Sequence, residues 1–144
     1  MNRETSTASH VRLLLRAQVQ AKMLAWVLHW NAKGNNAYSD HLLLERIYTK
    51  LDKNIDKLGE RHAAYFGPVS FADVMQLPGG KLPETIGSLL ALLKSIQVIS
   101  TEARKSLDSG VSPESRDGLD DYFMSLNNTM DTFIYLLQAR LVNL

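Results

Sequence analysis

Four long stretches of this chain repeat apolar residues every three or four positions, and glycine or proline breaks separate them. That period is the mark of a helix with a buried face. The first helix is expected to start near Thr5 to Ser9, where Ser and Thr offer caps, and to run to about Lys33. It is apolar on more than one face, through Val11, Leu14, Leu15, Ala21, Leu24, Trp26, Val27 and Leu28. A helix of that kind is usually covered on several sides, which in so small a domain points to a partner subunit. Gly34 should close it as the C′ residue, with Asn35-Asn36 making the turn.

The second helix spans about Tyr38 to Tyr65 or Phe66 and is stopped by Gly67-Pro68. Its faces separate cleanly at about 100° per residue. Leu44, Ile47, Leu51, Ile55 and Leu58 form a core stripe; Arg46, Lys50, Lys53, Asn54 and Lys57 form a solvent stripe. A third stripe between them carries His41, Glu45, Asp52, Asp56 and Glu60.

Ser70 to Gln76 is predicted to be a short helix capped by Ser70, ahead of the Pro78-Gly79-Gly80 break. The third long helix is expected from about Pro83 to Leu107, with Gly110 closing it, on the apolar positions Ile86, Leu89, Leu90, Leu93, Ile96 and Ile99. Ser112-Pro113-Glu114 then supplies a cap, a proline at N1 and an acid in the first turn. The last helix follows with Leu119, Phe123, Leu126, Met130, Phe133, Leu137 and Leu141. Four long helices with a long connection between the second and third suggest an all-α, ferritin-like four-helix bundle with a crossover that carries a short extra helix. One domain over residues 1–144 fits the length.

Composition removes several chemistries. The chain has no cysteine, so disulfides, thiolate metal sites and thiol catalysis are excluded. The net charge of +1 gives no push toward nucleic acid. Met1 to Ser9 is polar, and Arg12, Arg16 and Lys22 interrupt the apolar run that follows; neither a secretory core nor a membrane span is expected there. The default is a cytoplasmic protein with no membrane partner.

Imidazoles and carboxylates suit iron, manganese or zinc, and His29, His41, Glu45, Asp56 and Glu60 are the candidate ligands. His41 and Glu45 lie one turn apart on one helix face, and Asp56 and Glu60 repeat that spacing. His29 precedes Gly34 and His41 follows it, so a tight hairpin can bring the two rings together. From Glu45 to Asp56 is about three turns, or roughly 16 Å along a helix. Metal–ligand bonds of about 2.0–2.6 Å cannot bridge that span. If two copies of the second helix pack antiparallel about a twofold axis, Asp56 and Glu60 of one reach His41 and Glu45 of the other, and two identical sites result. The bland alternatives are carboxylates paired with the lysines of the same helix, and a His29 that merely packs beside Trp30. Asp52 shares the stripe and would be nominated by spacing alone.

Leu28-His29-Trp30-Asn31 with Gly34, then His41, Glu45, and Asp56 followed by Glu60-Arg61, resembles the signature of the Dps proteins, the small dodecameric ferritins. The match is dense from Leu24 to Arg61 and continues more weakly at Asp131, Phe133, Ile134 and Tyr135. The resemblance implies a shell of twelve subunits that stores iron on an acidic inner wall. It implies oxidation of Fe(II), preferentially by hydrogen peroxide but also by oxygen, at twofold interfaces, which suppresses hydroxyl radicals. It assigns His29, His41 and Glu45 to one subunit and Asp56 and Glu60 to its neighbour, at dinuclear or mononuclear sites where zinc or manganese can substitute for iron. Trp30 would stand beside the site as a radical trap, or simply pack on Trp26. Asp117 and Asp121 match acids that line iron-conducting pores, or serve only as acids at a helix N-terminus.

The sequence departs from the family in three places. Glu45 stands where aspartate is usual. Gly59 replaces a common alanine, which loosens an isolated helix by about 1 kcal/mol. Arg3 and Glu4 cancel where DNA-binding members carry lysine-rich tails, so strong DNA binding is not expected. His10 and His62 are read as surface or packing residues. A single-chain di-iron enzyme would need Glu-x-x-His pairs, and none occurs. A metal-free ferritin-like shell or interaction module remains as the alternative.

Overall fold

A computed structural model describes residues 6–75, 82–107 and 111–142. Five helices account for most of these residues: α1 (Ser6–Trp30), α2 (Ala37–Phe66), the single turn α3 (Phe71–Val74), α4 (Ile86–Lys105) and α5 (Pro113–Val142). No strand occurs among the described residues.

Several boundaries differ from expectation for local reasons. α1 ends at Trp30, not Lys33; the Asn31 N–H still reaches the Val27 carbonyl at 3.1 Å, and the chain then leaves the helix. Gly34 is therefore not a C′ residue. It is the left-handed residue of the turn, at φ 89°, and its carbonyl accepts from the Ala37 N–H at 3.2 Å. α4 starts at Ile86, not Pro83, because Thr85 is the cap: its Oγ1 accepts from the Ser88 N–H at 3.1 Å. It ends at Lys105, two residues short of Leu107. Ser70 precedes α3 without a capping hydrogen bond from its side chain. Ser112 does cap α5, accepting from the Ser115 N–H at 3.2 Å. The Arg3–Glu4 pair, Gln76, the Pro78-Gly79-Gly80 break and Gly110 lie outside the described residues.

The bundle is two antiparallel hairpins, α1 with α2 and α4 with α5, docked through α1 against α4. Leu28 at the end of α1, Ala32 just beyond it, Leu44 near the start of α2 and Ile86 at the start of α4 line one depression. The start of α4 therefore sits at the α1–α2 turn, whereas α2 finishes at the opposite end. The connection after Phe66 must travel the length of the bundle, which is the crossover. The Arg16 side chain holds it to α1 by donating to the Asp73 carbonyl at 2.7 Å. At the far end, Thr7 of α1 donates to the carbonyl of Ser106, just past α4, at 2.6 Å.

The core is one aliphatic and aromatic cluster. Leu14, Leu15, Ile47, Leu51, Leu58, Leu89, Leu93, Ile96, Leu119, Phe123, Met130 and Leu137 are its largest fully buried members. Ile55, expected in the core stripe, is only partly buried and packs on its margin. α4 is long and apolar enough by composition to cross a bilayer. Its Leu89, Leu93, Ile96 and Ala103 are spent on this core instead.

The seam between α2 and α5 is pinned at two places and open between them. Near one end Arg140 grips Asp40 with two bonds, Nε to Oδ1 at 2.7 Å and Nη2 to Oδ2 at 3.1 Å. The pair is mostly buried, and the bond to Asp40 raises the guanidinium pKa further. Lower down, the Tyr122 hydroxyl donates to the Asn54 carbonyl at 2.7 Å while accepting from Gln18 Nε2 at 3.2 Å. Asn54 thus belongs to the seam rather than to the solvent stripe. Burial pushes the Tyr122 phenol well above the usual tyrosine range, against the weaker pulls of the Gln18 hydrogen bond and the Arg61 charge. Arg61 lies over the Tyr122 ring, 5.9 Å from its centroid, where a Cβ on Gly118 would come within 3.1 Å of its Nη1.

Candidate metal centre

The short α1–α2 turn places His29, in the last turn of α1, against His41, in the first turns of α2. Their rings stack with centroids 3.7 Å apart and planes 23° from parallel. Each ring is fixed by the other residue's backbone: His29 Nδ1 lies 2.9 Å from the His41 carbonyl, and His41 Nδ1 lies 3.2 Å from the His29 carbonyl. A carbonyl oxygen only accepts, so both Nδ1 atoms carry hydrogen. In the neutral rings the lone pairs are then left on Nε2, the atoms free to bind a metal. His29 is buried, whereas His41 is exposed.

Tyr48, two turns along α2 from His41, abuts the His29 ring edge-on at 5.1 Å. Trp26 touches Tyr48 at 5.9 Å and Trp30 at 5.2 Å. Trp30 therefore leans on Trp26, yet it stays 60% exposed, so it is not a core residue of the single chain. Sequence reasoning passed over Tyr48. Its position seven residues after His41, on the same helix face, was the available signal.

The carboxylates divide as the length argument requires. Glu45 is exposed at the edge of the open part of the α2–α5 seam. Asp56 and Glu60 are exposed at a different depression, lined also by Leu15, Ile55, Gly59, Val69 and Val74. Among the described residues, no three His, Asp or Glu side chains of one chain gather closely enough to hold a metal ion. Asp52 is occupied elsewhere: Lys22 Nζ meets its Oδ1 at 2.6 Å while lying over the Trp26 ring. Asp117 and Asp121 are exposed on the first turns of α5. His62 is a packing residue, buried and held by the Gly67 carbonyl at 2.8 Å and by Arg12 Nη1 at 3.3 Å. His10 turns its Nδ1 back to the Ser6 carbonyl at 2.7 Å.

No family model matches the sequence. The backbone, however, superposes along nearly its whole length on solved Dps subunits. Dps from Listeria innocua matches with TM-score 0.77 and 19% identity, over 96% of this chain and 96% of that one. The fold is the Dps fold. Dps from Microbacterium arborescens, in its high iron form, matches with TM-score 0.75 and 20% identity, over 94% of this chain and 92% of that one. A Mycobacterium smegmatis Dps1 mutant matches with TM-score 0.68 and 17% identity, over 94% and 97%. The Listeria innocua Dps has also been soaked with zinc and with cobalt.

Proposed function

We propose that this chain is a Dps-type mini-ferritin that binds Fe(II) and oxidises it at sites shared by two copies across a twofold axis. The observation that carries the reading is the reciprocal clamp of His29 and His41. It holds both rings through Nδ1 and leaves both Nε2 atoms free to bind a metal, with His41 on the same α2 stripe as four exposed acids. In the proposed dimer, His29, His41 and Glu45 of one subunit face Asp56 and Glu60 of the other. Three carboxylates and two imidazoles, shared among one or two ions, leave positions on Fe(II) open to an oxidant. Hydrogen peroxide accepts one electron from each of two Fe(II) ions and, taking up protons, leaves as water. The Fe(III) then hydrolyses and is stored. The removal of Fe(II) and peroxide together is the protective function.

The exposed apolar residues of α1 support a covered interface. Leu13, Met23 and Trp30 keep 43%, 42% and 60% of their surface. Burying such groups in a partner contributes about 25 cal/mol for each Å² of apolar area. The proposal includes a shell of twelve subunits, as the resemblance to the Dps proteins implies. It also includes Trp30 as a radical trap beside the site and Asp117 and Asp121 as pore acids. Zinc or manganese would compete for the same ligands.

The test is anaerobic Fe(II) binding and peroxide-driven oxidation by the purified oligomer beside His41→Ala. Fast oxidation in the parent that is lost in the variant, with the oligomer intact, supports the shared site. A parent that binds no Fe(II) and behaves like the variant overturns it.

A further inference from the structure

The open part of the α2–α5 seam is a groove of about 720 Å³. Its α2 wall carries Arg46, Lys50 and Lys53, at a spacing of four and then three residues, with Thr49 among them. Its α5 wall brings Thr129 and Thr132. Glu45 stands at the rim, the only acid lining the groove among the described residues. Arg46, Lys50 and Lys53 are all exposed, and none has an ion-pair partner among the described residues.

Like charges three and four residues apart on a helix repel one another. Such a row is ordinarily relieved by acids one turn away or across the helix contact. Here Asp52 is taken by Lys22, the facing α5 wall is neutral, and neither Glu45 nor Asp56 pairs with the row among the described residues. The groove is a concave, solvent-open depression whose lining runs from Leu42 to Lys53 on α2 and from Thr129 to Phe133 on α5. Thr129 and Thr132 spend their hydroxyl hydrogens on carbonyls of their own helix, Ser125 at 3.0 Å and Asn128 at 3.4 Å. A small rotation of either would turn its hydroxyl into the groove.

We infer that the α2–α5 groove is a binding site for a small tetrahedral oxyanion, inorganic phosphate in particular. Arg46 presents a planar fork suited to two of its oxygens, and Lys50 and Lys53 supply point charges from the next turns. The threonine hydroxyls complete the donors from both walls. At about 720 Å³ the groove has room for a small anion and its water, whereas a duplex is far larger than the depression. If the iron reading holds, the anion would lie at the Glu45 edge of the oxidation site, where it could join Fe(III) as the mineral forms.

The experiment is done without metal, so that its outcome is independent of iron chemistry. Inorganic phosphate is titrated calorimetrically into the metal-free oligomer at low ionic strength in a zwitterionic buffer, beside K50Q/K53Q and R46K. Sedimentation checks that the oligomers are unchanged. Saturable uptake is expected, weakened about tenfold or more in K50Q/K53Q and weakened by added salt, with a smaller loss in R46K. No saturable uptake below about 10 mM phosphate, or equal uptake by parent and K50Q/K53Q, overturns the assignment. So does tight binding of a short DNA duplex that depends on the same lysines while phosphate fails to compete.

Discussion

Two inactive variants of this protein should restore each other when they share an oligomer. His41→Ala removes a ligand from the imidazole half of the proposed site, and the pair Asp56→Ala/Glu60→Ala removes the acid half. Those halves lie about 16 Å apart along α2, too far for one ion to bridge within a chain. Each variant alone should bind and oxidise Fe(II) hardly at all. Co-expressed in equal amounts with different tags and purified through both, the chains pair at random. About half of the twofold contacts are then mixed, and each mixed contact has one undamaged site and one doubly damaged site. The mixed oligomer should therefore recover about one quarter of the parental sites, read as the amplitude of the fast peroxide-driven phase. The rate constant of that phase should equal the parent's, because each recovered site is chemically whole. A mixed oligomer verified by mass spectrometry that recovers no fast phase would refute the shared site. Full activity in either pure variant would refute the ligand assignment.

Other substitutions probe the frame around the site. Asp40→Ala strands a mostly buried guanidinium and should cost about 2–3 kcal/mol, less than a fully buried pair because Arg140 keeps some solvent. The urea midpoint at fixed protein concentration reports it, and Asp40→Ala/Arg140→Met should regain part of the loss; equal midpoints for all variants would refute the clamp. Asp52→Asn should leave metal affinity unchanged and cost under about 0.5 kcal/mol, because its partner contact with Lys22 is solvent-exposed; a large fall in iron affinity would make Asp52 a ligand. Alkaline titration reports on Tyr122, whose folded pKa is raised. Above about pH 10 the unfolded phenol loses its proton while the folded one keeps it, so stability contributed below that pH is lost as pH rises. Tyr122→Phe should remove that part of the slope and lower stability at neutral pH by about 1–3 kcal/mol, since Asn54 and Gln18 lose a partner. An unchanged alkaline slope would mean that other groups carry it.

The helices were legible because their signals are local. The period of apolar residues on α2, the Gly67-Pro68 stop and the Ser112 cap all act within one or two turns. The approach of His29 to His41 was legible for the same reason, since a short turn joins them. Contacts between distant residues left no such trace. Asp40 and Arg140 are a hundred residues apart, and each reads alone as an ordinary surface charge. The Gln18–Tyr122–Asn54 relay spans three helices, and an isolated buried glutamine has no pattern to announce it. The end of α1 was misjudged because Ala32 and Lys33 are good helix formers. The demand of the turn for a left-handed Gly34 outweighed their propensity. The groove depends on how far α2 and α5 separate between their two pins, which is a property of the packed bundle.

The crossover divides the chain's folding into two kinds of event. Each hairpin brings together residues separated by one short connection, so α1 with α2 and α4 with α5 pay little loop-closure entropy and can assemble early. The contacts that lock the hairpins together, Thr7 with Ser106 and Asp40 with Arg140, join residues about a hundred apart and are expected to form late. Until they form, the α1–α2 half exposes both its core stripe and its outer apolar row, including Leu13 and Met23. A nascent chain released before α5 is made would be the species most prone to self-association, and the final helix acts as the latch that ends that interval.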